Sequence, residues 1–305
     1  MSWNPTDLPS QAGKIFVVTG GASGIGYFIC EQLAGTGARV IIAGRNKAKA
    51  DVAIASITQQ VPRADVGFVH LDLGSFDSVR AAAVELAALG RIDALIENAG
   101  VIMPSRERQE TVDGNELMFG TNHLGHFLLT ALLYPVLLLS TPGSRVVPMG
   151  SGATHLTRID LDNLQSTKNY SSWRAYGQSK HATQSFGFEL DRRLRASRSS
   201  VTALVAHPGA AQDAKSPFRA GIVEPTGLQR ALGLLYVIAR GKDTAAWPIV
   251  RAAIDPDAAG GQYWGPRVFT PMPSVLKPAR VSQEEVLGRA LWARSEELVG
   301  QKFEV

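Results

Sequence analysis

Tyr176 and Lys180 stand four residues apart in Tyr176-Gly177-Gln178-Ser179-Lys180, near the start of a long helical pattern, and that spacing puts both on one helix face. A phenol with an ordinary pKa near 10 is almost wholly protonated at neutral pH. A lysine cation about 5 Å away contributes roughly 3 kcal/mol at an effective dielectric of 20, which would lower that pKa by about two units. Tyr176 is therefore a candidate proton donor or acceptor, with Lys180 as its helper.

A second constellation lies near the N terminus. The apolar run Lys14 to Thr19 leads into Gly20-Gly21-Ala22-Ser23-Gly24-Ile25-Gly26, and a helical pattern with Phe28, Ile29 and Leu33 follows. Glycines after a strand let the backbone turn tightly and approach a pyrophosphate, whose charge is stabilised by free N–H groups and the positive end of the helix dipole. The loop from Gly20 through Ser23, Gly24, Ile25 and Gly26 is thus a candidate phosphate cradle. After the second strand the chain reads Ala43-Gly44-Arg45-Asn46, with no carboxylate where NAD would find a ribose partner. The Arg45 guanidinium suits a 2′-phosphate, so NADP(H) is the preferred cofactor, with NAD(H) still open.

Elements of the right kind are present to position these residues. Lys14 to Thr19, Arg39 to Ala43, Val66 to Leu71, Ile92 to Ile96, Arg145 to Met149 and Val201 to Ala206 read as strands separated by helical patterns. Apolar residues on both sides of the pleat imply burial of both faces, which predicts an α/β, doubly wound, Rossmann-type domain with a mostly parallel sheet of about seven strands flanked by helices. Pro148 predicts a local break in the fifth strand because it lacks an N–H. The stretch Pro266 to Pro278 reads as a surface excursion before a final helix, Ser282 to Leu298. No repeat or linker divides the 305 residues, so residues 1–305 are assigned to one domain.

The composition narrows the classes. With 31 basic and 27 acidic residues scattered along the chain, and no block of like charge, nothing marks a nucleic-acid arm. The single cysteine, Cys30, excludes an intramolecular disulfide framework and a cysteine-cluster metal site, fits a reducing compartment, and reads as a buried helix residue. The first 13 residues contain Pro5, Asp7 and Pro9 and read as neither a secretory signal nor a membrane anchor, so the expected location is cytoplasmic. The apolar stretch Phe127 to Leu139, interrupted by Pro135, is too short to span a bilayer and reads as a buried helix. His123 and His126 are three apart on a predicted helix, but no further ligands are recognisable, and no metal site is predicted.

The Gly-x3-Gly-x-Gly loop and the distant Tyr-x3-Lys together resemble the short-chain dehydrogenase/reductase family, over nearly the whole chain. Asp72-Leu73, Asn98-Ala99-Gly100, Asn122 within Thr121 to Phe127, and Pro208-Gly209 also match that pattern, each at or just beyond a strand's carboxyl end or on the following helix. By this resemblance Ser151 hydrogen-bonds the substrate oxygen, Tyr176 exchanges its proton, Lys180 holds the ribose and assists Tyr176, and Asn122 supports a water chain to Lys180. The remaining cofactor contacts implied are Asp72, Leu73, Asn98, Ala99, Gly100, Pro208 and Gly209. The resemblance implies hydride transfer between the nicotinamide cofactor and a small carbonyl or alcohol substrate, and assembly as a homodimer or homotetramer. Arg45 makes NADP(H) the expected cofactor, and Phe218, Ile222, Leu228 and Leu232 within residues 210–240 make a lipophilic substrate the expected one.

The 25-residue gap from Ser151 to Tyr176, the segment Asp160 to Leu164, and the ending Leu291 to Leu298 look like the retinol-dehydrogenase-like branch. Residues 210–240 fall where that family carries a substrate lid, and 262–305 form a C-terminal extension. Four positions depart from the pattern: Glu97 where Asn usually precedes Asn-Ala-Gly, Pro148 and Gly150 beside Ser151, and Asp213 where a threonine often contacts the carboxamide. Glu97, if buried, must be paired or protonated. His155 and Trp173 are candidate pocket residues or packing residues. Two other readings stand beside the enzyme: a non-catalytic NADP(H)-binding sensor or interaction module, and an extended-branch epimerase or dehydratase, which a different glycine spacing and a larger C-terminal domain would mark.

Overall fold

The computed structural model describes residues 4–5, 7–102, 105–233, 235–236, 238–267 and 270–305. Positions 1–3 and 6 of the N-terminal stretch, 234 and 237 of the expected lid, and 268–269 of the proline-rich stretch lie outside the described residues. Strand and helix alternate from the start: β1 (Ile15–Thr19), α1 (Gly24–Gly35), β2 (Arg39–Gly44), α2 (Lys47–Gln60), β3 (Asp65–His70), α3 (Phe76–Ala87) and β4 (Ala94–Glu97). Next, α4 (Leu117–Phe119) passes through a π-helical turn, Gly120–Leu124, into α5 (Gly125–Leu137), followed by β5 (Arg145–Pro148) and α6 (Ser172–Ala196). The remainder is β6 (Thr202–Ala203), β7 (Val205–Ala206), α7 (Gly227–Gly233), α8 (Lys242–Ala245), α9 (Trp247–Ile254), β8 (Tyr263–Arg267), β9 (Thr270–Val275) and α10 (Glu285–Val299).

The sheet has the order β3-β2-β1-β4-β5-β6 with every pair parallel, the Rossmann-type α/β arrangement expected. Alternate residues of β1 feed opposite faces. Val17 packs with α3, α5, α6 and α10, whereas Phe16 and Val18 pack with α1, α2 and α9. Both faces are buried, which is why the strands are apolar throughout. Cys30 is fully buried on α1, as expected.

The sixth predicted strand divides into β6 and β7, and Pro148 accounts for the division. Leu204 N–H donates to the Val146 carbonyl at 3.0 Å and Gly150 N–H to the Ala206 carbonyl at 2.8 Å. The two-residue repeat of a parallel ladder then sets the Pro148 nitrogen opposite the Leu204 carbonyl, where proline has no hydrogen to give. The expected break thus falls on the neighbouring run, Val201 to Ala206, as well as ending β5. Met149 and Ala206 still bridge, and β7 continues into β8 (parallel) and β9 (antiparallel).

The proline-rich stretch runs at the surface as expected, with Met272 and Val275 exposed, but it is ordered as β-structure: it supplies the end of β8 and all of β9, paired antiparallel, with Pro273 buried. β8 extends the sheet past β7 as the seventh strand position, and β9 adds an antiparallel edge. The C-terminal residues close the α5-α6 face, where Trp292 stacks on Phe303 at 4.8 Å and meets Phe127 edge-on at 5.2 Å. Among the described residues no helix is long and apolar enough to cross a membrane.

Candidate active site

A cavity of about 570 Å³ opens at the carboxyl ends of the parallel strands, the edge where open α/β sheets bind ligands. Gly20, Ser23, Gly24, Ile25 and Gly26 line it, as do Arg45, Asp72, Leu73, Asn98, Ala99, Gly100, Ser151, Tyr176, Lys180, Pro208 and Gly209. Residues drawn from positions 20 to 209 thus meet on one surface.

The glycine loop fits a phosphate group. Gly20 and Gly24 take φ of +68° and +61°, the left-handed region that a side chain disfavours. A Cβ on Gly26 would run into the Gly20 carbonyl and the Asn98 side chain. Asn98 Nδ2 in turn donates to the Thr19 carbonyl at 2.8 Å, so loop, helix and the residues after β4 are locked at close approach. Ser23 caps α1 without a side-chain bond to the first turn, and no acidic residue lies in that turn. The leading N–H groups of a 12-residue helix are then available to an anion.

At the far end of the cavity Arg45 and Asn46 follow β2, and Lys49 joins them from the first turn of α2. Lys49 was not singled out from the sequence; its signal was a second basic residue one helical turn beyond Arg45. Asp72 accepts from Gly74 N–H through Oδ1 at 2.9 Å, which fixes the turn after β3.

The polar centre lies at the other end. Ser151 caps a 3₁₀ turn, Gly152–His155, after β5. The Tyr176 hydroxyl is 3.4 Å from Ser151 Oγ. Two close approaches make this possible. A Cβ on Gly177 would collide with Thr157, so α6 can sit against the turn, and His181 Nε2 lies 3.1 Å from the Thr157 carbonyl. A Cβ on Gly150 would meet Gln184, whose Nε2 donates to the Ser151 carbonyl at 3.0 Å. The departure at Gly150 thus makes room for Gln184. Gln184 was missed, although Tyr176, Lys180 and Gln184 form an i, i+4, i+8 row that could have shown it.

Lys180 is buried and donates to the Met149 carbonyl at 2.9 Å. Burial pulls its ammonium down to about 8, and the carboxyl of Glu97 opposes that pull. Tyr176 departs from expectation: burial pushes its phenol above the ordinary value, and the hydrogen bond with Ser151 offsets part of the rise. The lowering expected from Lys180 is not found, because the lysine is turned toward Met149 and desolvation dominates.

Asn122, in the π-helical turn, is buried and does not line the cavity. Its Oδ1 accepts from Val101 N–H at 2.7 Å, and its Nδ2 donates to the Val101 carbonyl and to Ser179 Oγ, both at 3.0 Å. Its own carbonyl lies 3.0 Å from His126 Nδ1 and accepts from Thr183 Oγ1 at 3.1 Å. Asn122 therefore holds the segment after β4 against α6. His126 and His123 are engaged elsewhere: His126 Nε2 lies 2.9 Å from Thr19 Oγ1, and His123 Nε2 lies 2.7 Å from Ser295 Oγ. Asp213 pairs with Lys242 at 2.6 Å and is not among the cavity residues. His155 is exposed, and Trp173 stacks on Tyr176 with ring centroids 6.1 Å apart.

The model of the short chain dehydrogenase family matches residues 14–216. The chain belongs to that family. Among the relatives, polyprenol dehydrogenase of Mus musculus is 36% identical over 304 residues, covering 98% of this chain and 87% of that protein. Retinol dehydrogenase 13 of Homo sapiens is 37% identical over 301 residues, covering 96% and 87%. A solved structure of a Mycobacterium paratuberculosis protein covers 100% of both chains at 35% identity with a TM-score of 0.80. These relatives agree with the retinol-dehydrogenase-like resemblance and with the Rossmann-type fold. As a short chain dehydrogenase the chain is an oxidoreductase, and its Ser151, Tyr176 and Lys180 line the cavity at the strand ends together with the glycine loop.

Proposed function

We propose that this short chain dehydrogenase transfers hydride between NADP(H) and an apolar carbonyl or alcohol substrate, with Tyr176 as the acid-base residue. The carrying observation is that Ser151, Tyr176 and Lys180 line the same cavity as the glycine loop and Arg45. A nicotinamide bound there supplies or accepts the hydride. The loop N–H groups and the α1 terminus hold its diphosphate, and Arg45 with Lys49 holds a 2′-phosphate. Ser151 and Tyr176 converge on one substrate oxygen. Burial keeps the Tyr176 phenol protonated at neutral pH, so the resting residue is poised to give its proton to a carbonyl oxygen.

The apolar substrate class rests on two observations. Residues 210–240 expose Phe218, Leu228 and Leu232. The names of the two relatives, polyprenol dehydrogenase and retinol dehydrogenase 13, refer to apolar alcohols. The reading takes residues 1–305 as one domain, a homodimer or homotetramer as the assembly, and the cytoplasm as the location, which the lone buried Cys30 suits.

The test is anaerobic titration of the purified chain with NADPH and NADH by fluorescence, then turnover of a panel of apolar aldehydes, ketones and alcohols, with light scattering for the assembly. Tighter NADPH binding with turnover supports the reading. Cofactor binding without turnover of any compound would favour the sensor module, and no binding would remove the cradle assignment.

A further inference from the structure

Beneath the lysine lies a carboxyl group that the proposed reaction does not use. Residues of β4 alternate between the two faces of the sheet, and Leu95 packs on the α5-α6 side. Glu97, two residues on, points to that same side, the side of Lys180. It is 1% exposed. Its Oε1 accepts from Thr130 Oγ1 on α5, and its Oε2 is buried with no hydrogen-bond partner. Met149 joins it to the lysine: Met149 N–H donates to the Glu97 carbonyl at 3.1 Å, and the Met149 carbonyl accepts from Lys180 Nζ. The backbone of Glu97 and the side chain of Lys180 are thus held by the two backbone polar groups of one residue, Met149, and both side chains are buried.

We propose that Glu97 is a positioning residue, the buried counter-ion that fixes the charge of Lys180 behind the cavity. An ammonium removed from water needs a nearby negative charge or it gives up its proton. Lys180 has the Met149 carbonyl for one N–H and the Glu97 carboxylate for charge. The coupling runs both ways: the lysine opposes the effect of burial on Glu97, whose carboxyl stands at about 7, and Glu97 opposes the effect of burial on Lys180. The other titratable groups nearby are His126 on α5, which burial holds neutral down to about pH 4, and Tyr176 on α6, whose phenol burial pushes above its ordinary value. β1 contributes Thr19, β5 contributes Pro148, and Met149 follows it, none of them charged. Near neutrality the state of the pair is therefore set by Glu97 and Lys180 alone. The Glu97 departure from the family's asparagine gives this chain a charge where an amide would give none.

This inference rests on the proposed role of Lys180, so the experiment reads the pair directly. Infrared difference titration of the cofactor-free full chain is done on wild type, Glu97→Gln and Lys180→Met, with Lys180→Gln as a second neutral variant should Lys180→Met fail to fold. Wild type is expected to show a buried carboxylic-acid C=O band that vanishes around neutral pH. The band is absent in Glu97→Gln, and its midpoint rises by about one pH unit or more when Lys180 is neutral. In turnover assays, Glu97→Gln is expected to move the alkaline limb of kcat/KM down by about one unit, a change that a purely structural role would not produce. Absence of the band from wild type, or a midpoint unmoved by both lysine variants, overturns the coupling. Because the infrared titration needs neither cofactor nor substrate, its failure is distinct from failure of the proposed reaction.

Discussion

The Tyr176 hydroxyl lies 3.4 Å from Ser151 Oγ, joining residues 25 positions apart at the mouth of the cavity. If the two share one substrate oxygen, Tyr176→Phe removes the proton and Ser151→Ala removes one hydrogen bond. Tyr176→Phe is expected to cut kcat about a hundredfold or more while the NADPH dissociation constant changes little. Ser151→Ala is expected to cut it less. Steady-state kinetics with fluorescence titration checks both.

Arg45 is exposed beside the cavity, and among the described residues it forms no ion pair. Arg45→Asp replaces a cation by a charge that repels a 2′-phosphate. The ratio of NADPH to NADH affinity is expected to fall about tenfold to a hundredfold, measured by titrating the variant with each cofactor.

Gly26 and Gly35 both lie on α1 but face different surroundings. A Cβ on Gly26 meets the Gly20 carbonyl, whereas one on Gly35 meets nothing within 4 Å. Gly26→Ala is expected to destabilise the fold by about 1–3 kcal/mol and weaken cofactor binding. Gly35→Ala is expected to stabilise by about 0.5–1 kcal/mol with binding intact. Thermal melts with and without NADPH separate the two.

Burial lowers His126 from 6.5 to about 4 and His123 to about 3, so both are neutral in the folded chain at pH 6. Once unfolded they bind protons below about 6.5, and the unfolded state then holds more protons than the folded one. Stability is therefore present above pH 6.5 and is lost as pH falls toward 4, by about 3 kcal/mol for His126 alone. His126→Gln, which cannot titrate, is expected to flatten this slope. Denaturant melts at pH 7 and pH 4.5 check it.

Trp173 is half-exposed and stacked on Tyr176 at the cavity edge. If it lines the approach of an apolar substrate, Trp173→Ala is expected to raise KM roughly two- to tenfold with a smaller change in kcat. Equal loss in both, or in cofactor affinity, would assign Trp173 to holding α6 instead.

Short-range geometry made much of the molecule readable before its fold was known. A βα turn with glycines at 20, 24 and 26, and a tyrosine and lysine one helical turn apart, depend on a few neighbouring dihedral angles, which local sequence specifies. The strand pattern was legible for the same reason, since burial of both sheet faces writes an apolar run into each strand. Pro148 showed that a ladder must break, because the missing N–H is a property of the residue itself.

What the tertiary structure alone decided concerns residues whose meaning depends on distant partners. The depth of Glu97, its single bond to Thr130 and its setting beside Lys180 follow from how β4, α5 and α6 pack. Likewise the pairing of Asp213 with Lys242, the hold of Gln184 on Ser151, and the hairpin after residue 262 are contacts across many residues of chain. The sign of the Tyr176 shift belongs with them. Charge spacing along a helix predicted a lowered phenol, but desolvation depends on everything packed around the ring, and in this chain burial outweighs the hydrogen bond with Ser151 while no lowering from the lysine is found.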